Sequence, residues 1–195
     1  MSTFNHLKTL SRRQLIQLGL ISGTGLAGSV LGLNLIAQNR KNAKVIIPPI
    51  DIPQTKDAAN PLAVLREFDY GTVTQENGRT VREFRVEART SPLKLNSSTS
   101  FITWNLNGRV PGPTFRATQG DRIRVIFYNK AGHSHSLHFH GTHAAEMDGV
   151  KPVRHNTVEI YEFDAEPYGV HLYHCHIEPI TRHVGKGLYG MFIID

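Results

Sequence analysis

Cysteine is all but missing. Cys175 is the only one in 195 residues, so no disulfide can close within the chain. Charge of one sign is also scarce. The formal excess is +6, but Lys8, Arg12 and Arg13 are the only charges before Gln38, which leaves 19 basic against 16 acidic residues in the rest. That balance, with no basic stripe interleaved with aromatics, excludes a nucleic-acid surface. No internal repeat is visible, and no stretch past Pro61 shows a convincing helical period. A chain of this length without those features has room for one domain and an appendage.

Histidine is what the sequence has in excess. Ten of the 11 histidines fall between His133 and His183, and the other, His6, lies near the amino terminus. Such a concentration points to metal or proton chemistry. The amino terminus itself reads SRRQLIQ followed by the uncharged run LGLISGTGLAGSVLGLNLIA, Leu18 to Ala37. Paired arginines ahead of a glycine-rich apolar run resemble a twin-arginine export signal. Twenty uncharged residues can also span a bilayer as an uncleaved anchor over 18–37. Either reading puts the folded part outside the cytoplasm. Residues 38–60, with Pro48, Pro49 and Pro53 and no period of either kind, read as a linker.

From Pro61 to Asp195 the chain reads as one all-β domain. EFDYGTVT and RTVREFRVEART flank Asn77-Gly78, a hairpin signal. SFITWNLNG, TFRATQ, the cleanly alternating RIRVIFYNK, SLHFHG, NTVEIYEFDAE, GVHLYHCHI and GLYGMFIID follow, separated by turn residues. Many short strands predict an antiparallel β-sandwich.

Strand parity then sorts the histidines. In SHSLHFHG, His138 and His140 share a face, about 7 Å apart along the strand, and His135 points to the other. In YHCHI, His174 and His176 share a face and Cys175 points away from them. One side therefore gathers His135 and Cys175, with a second imidazole supplied by His183 a short loop later. A thiolate with two imidazoles is the ligand set of a blue copper site. Leu188, five residues after His183, falls at the axial position, where a leucine cannot donate and Cu(II) loses stabilisation relative to Cu(I). Met191 competes for that position. The other side gathers four imidazoles in a flat outward array, suited to copper or zinc. Cys175 is bonded in sequence to both His174 and His176, which gives a short through-bond route between the two sites.

HSLHFHGTH resembles the HxxHxHGxH signature of multicopper oxidases, and HCHIEPITRHVGKGL resembles their HCHxxxHxxxGL/M signature. Upstream, NGRVPGPTFRATQGDRIRVIFYN is similar to the corresponding run of a plastocyanin-like domain. The resemblance covers about Phe68 to Asp195 and implies a cupredoxin-like Greek-key β-sandwich. It implies type 1 copper on His135, Cys175 and His183, type 2 copper on His138, and a type 3 pair served by His140, His174 and His176. Asp148 in MDGV matches an aspartate that moves protons near the type 2 site.

Two departures from the family pattern stand out. The segment from Cys175 to His183 is three residues longer than usual and contains Pro179. The family also builds its three-copper cluster from eight histidines on two domains, whereas this chain offers four. Two identical chains face to face would supply eight, so the resemblance implies a homo-oligomer with its copper cluster shared between subunits.

The leading expectation is a laccase-like copper oxidase that reduces dioxygen with electrons from an outside donor. The competing readings are a non-catalytic electron carrier or copper-binding module, a copper nitrite reductase-like enzyme, and last a cupin-type enzyme, which leaves Cys175 unexplained. His133, His143, His155 and His171 read as surface or structural histidines, with His171 on the cysteine's face.

Overall fold

The computed structural model describes residues 61–195. The signal or anchor read over 1–37 and the linker over 38–60 lie outside the described residues. Among the described residues, no helix is long and apolar enough to cross a membrane.

A short helix α1 (Pro61–Arg66) leads into β1 (Phe68–Asp69), β2 (Thr72–Glu76), β3 (Arg79–Lys94), β4 (Ser100–Leu106), β5 (Thr114–Ala117) and β6 (Arg122–Asn129). Then come β7 (His138–Phe139), a 3-10 turn (Ala145–Met147), β8 (Thr157–Asp164), β9 (Gly169–His174), helix α2 (Ile180–Gly185) and β10 (Tyr189–Ile194). One five-stranded sheet runs β1-β5-β10-β9-β7; the other runs β2-β3-β6-β8 with β4 also on β3. The β2–β3 hairpin closes at Asn77 (φ 52°) and Gly78 (φ 76°), the pair of positive φ values that lets a two-residue turn follow the strand twist.

The sheets are mixed rather than antiparallel as the strand spacing predicts. β1–β5, β5–β10 and β3–β6 all pair in parallel. Crossovers between the layers bring strands together that are distant in sequence, and a reading based on consecutive hairpins misses such neighbours. The two helices were also unread from the sequence, since each is only six residues long and too short to show a period.

Alternation builds the core. β6 buries Ile123, Val125, Phe127 and Asn129 and turns the residues between them outward. Phe84, Phe115, Phe127, Phe139, Tyr173 and Phe192 fill the space between the sheets, burying apolar surface worth about 25 cal/mol per Å². Tyr173 stacks on Phe115 at 4.8 Å and donates its hydroxyl to the Pro113 carbonyl at 2.6 Å. Asn129, fully buried at the end of β6, donates to the carbonyls of His133 (2.8 Å) and Val153 (2.7 Å) and accepts from the Ala131 amide. Every arm of that amide is satisfied, and the loop carrying His135 is fixed by it.

Candidate metal centre

His135 is held by a two-way backbone bridge. Its N–H donates to the Val153 carbonyl at 3.1 Å, and the Val153 N–H returns a bond at 2.9 Å. Cys175 follows directly on β9 and donates its amide to the Leu188 carbonyl at 3.0 Å. His183 lies inside α2, so the lengthened segment after the cysteine is a helical turn rather than an open loop. These three elements bring Nδ1 of His135 and Nδ1 of His183 to 3.1 Å, with Cys175 Sγ at 3.2 Å from His183 and 3.8 Å from His135. The cage is closed: Cys175 and His135 are 0% exposed and His183 5%. Leu188 is fully buried as well, whereas Met191 points to the exposed face of β10, away from the sulfur's side of the sheet. The axial candidate that could have donated a second sulfur is thereby ruled out of the interior.

Burial governs the electrostatics of this cage. It drives the pKa of His135 down to about 3, helped by neighbouring His183 and His133, and lowers that of His183. Both rings are therefore neutral, the form that binds metal. Burial also pushes the Cys175 thiol up, opposed by hydrogen bonds from the Ile177 and Ser136 backbones and the Ser136 side chain. Two neutral imidazole nitrogens and one sulfur thus meet at close range inside the fold. Such a donor set could hold a metal ion, and soft sulfur with two imidazoles suits copper.

On the other side of the same strand the imidazoles spread outward. His138 on β7 pairs with His174 on β9 in the ladder. His140 Nε2 stands 2.9 Å from His174 Nε2, and the His138 and His176 rings lie 4.5 Å apart. Nδ1 of His138 and Nδ1 of His176 reach one atom, the main-chain carbonyl of Asp148, at 3.0 and 2.9 Å. Both rings donate Nδ1–H there, which leaves each Nε2 lone pair free for a metal. The Asp148 carboxylate adds contacts to His138 (3.1 Å), His143 (3.5 Å) and His176 (3.5 Å). Gly149 makes this approach possible: a Cβ there would fall 2.3 Å from the Leu137 carbonyl oxygen, at a φ of 78°. Burial lowers the pKa of His138 and His140, with further lowering from the neighbouring imidazoles.

The described residues contain three groups of metal-donor side chains: His135 with Cys175 and His183, His138 with His140 and His174, and His138 with Asp148 and His176. All seven histidine and cysteine positions expected as ligands fall in these groups, with Asp148 beside them.

His143, read from the sequence as a surface or structural histidine, lies beside the imidazole face. Its Nε2 lies 3.2 Å from His138 Nδ1, and its side chain is 8% exposed. The signal was in the sequence: His143 is the last histidine of HSLHFHGTH, two residues after Gly141. His171 does not approach the sulfur; its nitrogens lie 3.1 Å from the His140 carbonyl and 2.8 Å from the Pro167 carbonyl, at the far end of β9. His155 hydrogen-bonds the Ala131 carbonyl, and His133 packs on Trp104.

A family model described as multicopper oxidase matches residues 87–195, and the chain belongs to that family. Among curated relatives, the copper-containing nitrite reductase of Neisseria meningitidis is 26% identical over 76% of this chain and 37% of its own length. Laccase-1 of Botryotinia fuckeliana is 34% identical over 48% of this chain and 18% of its own. A solved multicopper oxidase superposes with a TM-score of 0.68 at 42% identity, covering 71% of this chain and 50% of that one. The chain thus spans well under half the length of these curated relatives. The cupredoxin-like sandwich expected from the sequence is the fold these neighbours share.

Proposed function

We propose that the chain is an exported, laccase-like copper oxidoreductase that works as a homo-oligomer. Residues 1–37 would serve as signal or anchor, 38–60 as linker and 61–195 as the catalytic cupredoxin domain. The observation that carries this reading is the tripeptide His174-Cys175-His176, whose middle side chain enters the closed cage while its neighbours join the open imidazole face. His135, Cys175 and His183 would hold type 1 copper, with Leu188 filling the axial side without donating. His138 would serve type 2 copper, and His140, His174 and His176 the type 3 pair. Copper supplies one-electron chemistry at the cage and dioxygen reduction at the imidazole face.

The chain's own groups set the conditions for that chemistry. Cys175 and its two peptide bonds join the sites covalently. The Asp148 carbonyl fixes the tautomers of His138 and His176, and the Asp148 carboxylate, 3.1 Å from His138 Nδ1, would relay protons to the acceptor site. Four imidazoles cannot complete a three-copper cluster, so a second copy must bring four more. The outer face of β9 and β10 supports this docking: Val170 (64% exposed), Leu172 (44%) and Met191 (37%) form an apolar surface continuous with His174, Met191 lying opposite Leu172. Such surface on the side carrying an incomplete site fits a subunit contact.

Copper analysis with solution mass and electron paramagnetic resonance tests the proposal. The expected load is about one type 1 copper per chain and three further coppers per pair of chains, with dioxygen consumed. One copper per chain and no dioxygen uptake would identify a carrier instead. A second reading, nitrite as acceptor at a single intersubunit copper, draws on the wider coverage of this chain by the nitrite reductase relative. Turnover with each acceptor separates the two.

A further inference from the structure

Trp104 is the chain's only tryptophan, sits on β4, and is 7% exposed. Its indole touches both imidazoles of the cage, with centroids 5.3 Å from His135 and 4.9 Å from His183, both at steep interplanar angles. The two imidazoles meet each other at 5.0 Å and 73°. Three rings therefore pack on one another, His183 edge to face with both partners and His135 tilted against the indole, a geometry that fixes ring planes as well as positions. On the solvent side, His133 packs at 4.8 Å and the Arg182 guanidinium lies 5.3 Å over the indole.

The backbone adds a second hold. The Trp104 N–H donates to the Lys186 carbonyl at 3.0 Å, just past the end of α2. This matters because α2 carries His183 and cannot place itself. It has six residues and no side-chain cap at its amino end, and an isolated helix of that length is not stable in water. Its position must come from what packs on it. Trp104 meets it through His183, Arg182 and Lys186 together.

We propose that Trp104 is the positioning residue of the Cys175 cage, fixing the planes of His135 and His183 and clamping α2 to β4. The inference rests on the copper reading above. No metal bond involves the indole; it acts through the two imidazoles, as outer contacts of metal ligands do.

Copper(II) titration of the full-length wild-type protein tests the inference. The equivalent of copper(II) that develops the thiolate-to-copper band should also quench the emission of Trp104. Trp104→Ala should weaken copper at this site by roughly tenfold or more in competition with a chelator, and should change its hyperfine splitting and reduction potential. Trp104→Leu, which keeps apolar volume without a flat ring, should show the same losses if the alanine variant does not fold. Trp104→Phe should restore much of the affinity and the band. Wild-type emission unmoved by that equivalent would overturn the inference, as would an alanine or leucine variant with wild-type affinity, splitting and potential. If the wild-type chain binds no copper in the cage, the copper reading itself fails; if it binds and these variants match it, only the role of Trp104 fails.

Discussion

Inward from the end of β9, Cys175 is buried with His135 and His183, as are Trp104 and Leu188; outward, His174 and His176 stand partly exposed and His140 exposed. The two sides use the same imidazole chemistry. On the inner side, the cage donors come from one chain and their rings are locked by packing. On the outer side, His138 and His176 are oriented by the carbonyl of Asp148, with its carboxylate beside His138, while His140 and His174 meet at their Nε2 atoms. A buried site can be complete within a monomer because the core surrounds it. A site on a sheet face has protein on one side only, and its remaining ligands have to come from elsewhere.

Removing the sulfur tests the contrast most strongly. Cys175→Ser should abolish the intense thiolate-to-copper absorption while circular dichroism keeps the β signature, and the outward imidazoles should still take up copper. A variant that kept the band would refute the assignment of the cage. Leu172→Glu comes next. If the proposed homo-oligomer forms through this face, a charge in the apolar surface beside His174 should yield monomer in sedimentation and lower dioxygen turnover by at least about a hundredfold, with the thiolate band unchanged. Monomer with full turnover would show that the outer site does not need a partner.

A smaller effect is expected from Asp148→Asn, which keeps the carbonyl that orients His138 and His176 but removes the carboxylate. Turnover should fall by about a hundredfold, the scale of a lost proton-transfer group, with copper content intact. Parallel loss of copper would instead mark the carboxylate as a structural support. The mildest test is acid. In the metal-free protein His135 titrates near 3, below its ordinary value of 6.5. Between those values the unfolded chain binds more protons than the folded one, so stability is fully present above about pH 6.5 and declines as pH falls toward 3. Denaturant midpoints should be lower at pH 5 than at pH 7, and Cu(II) loading should widen the difference, because binding displaces the thiol proton and weakens as pH falls. Equal midpoints would mean that His135 is not held neutral by burial.

Parity was readable because the strand repeat of two is rigid. Clean alternation in RIRVIFYNK gave the inner face of β6, and the same rule applied to SHSLHFHG and YHCHI separated sulfur from rings. The helical setting of His183 was not readable, since six residues after a proline carry no period. The contact of His143 with His138 depends on the course of the chain after Gly141, which local preference does not dictate. Trp104 lies 31 positions before His135 and 79 before His183, so nothing in its neighbourhood advertises the contact.

By itself the sequence determined which residues could be ligands and toward which side of a strand each must turn, because side-chain direction follows from the backbone repeat. Only the tertiary structure decided how the segments meet: which strands lie parallel, which carbonyl sets the imidazole tautomers, and which indole closes the cage. Those contacts join residues far apart along the chain, and their geometry is set by close packing of the whole core rather than by any local pattern.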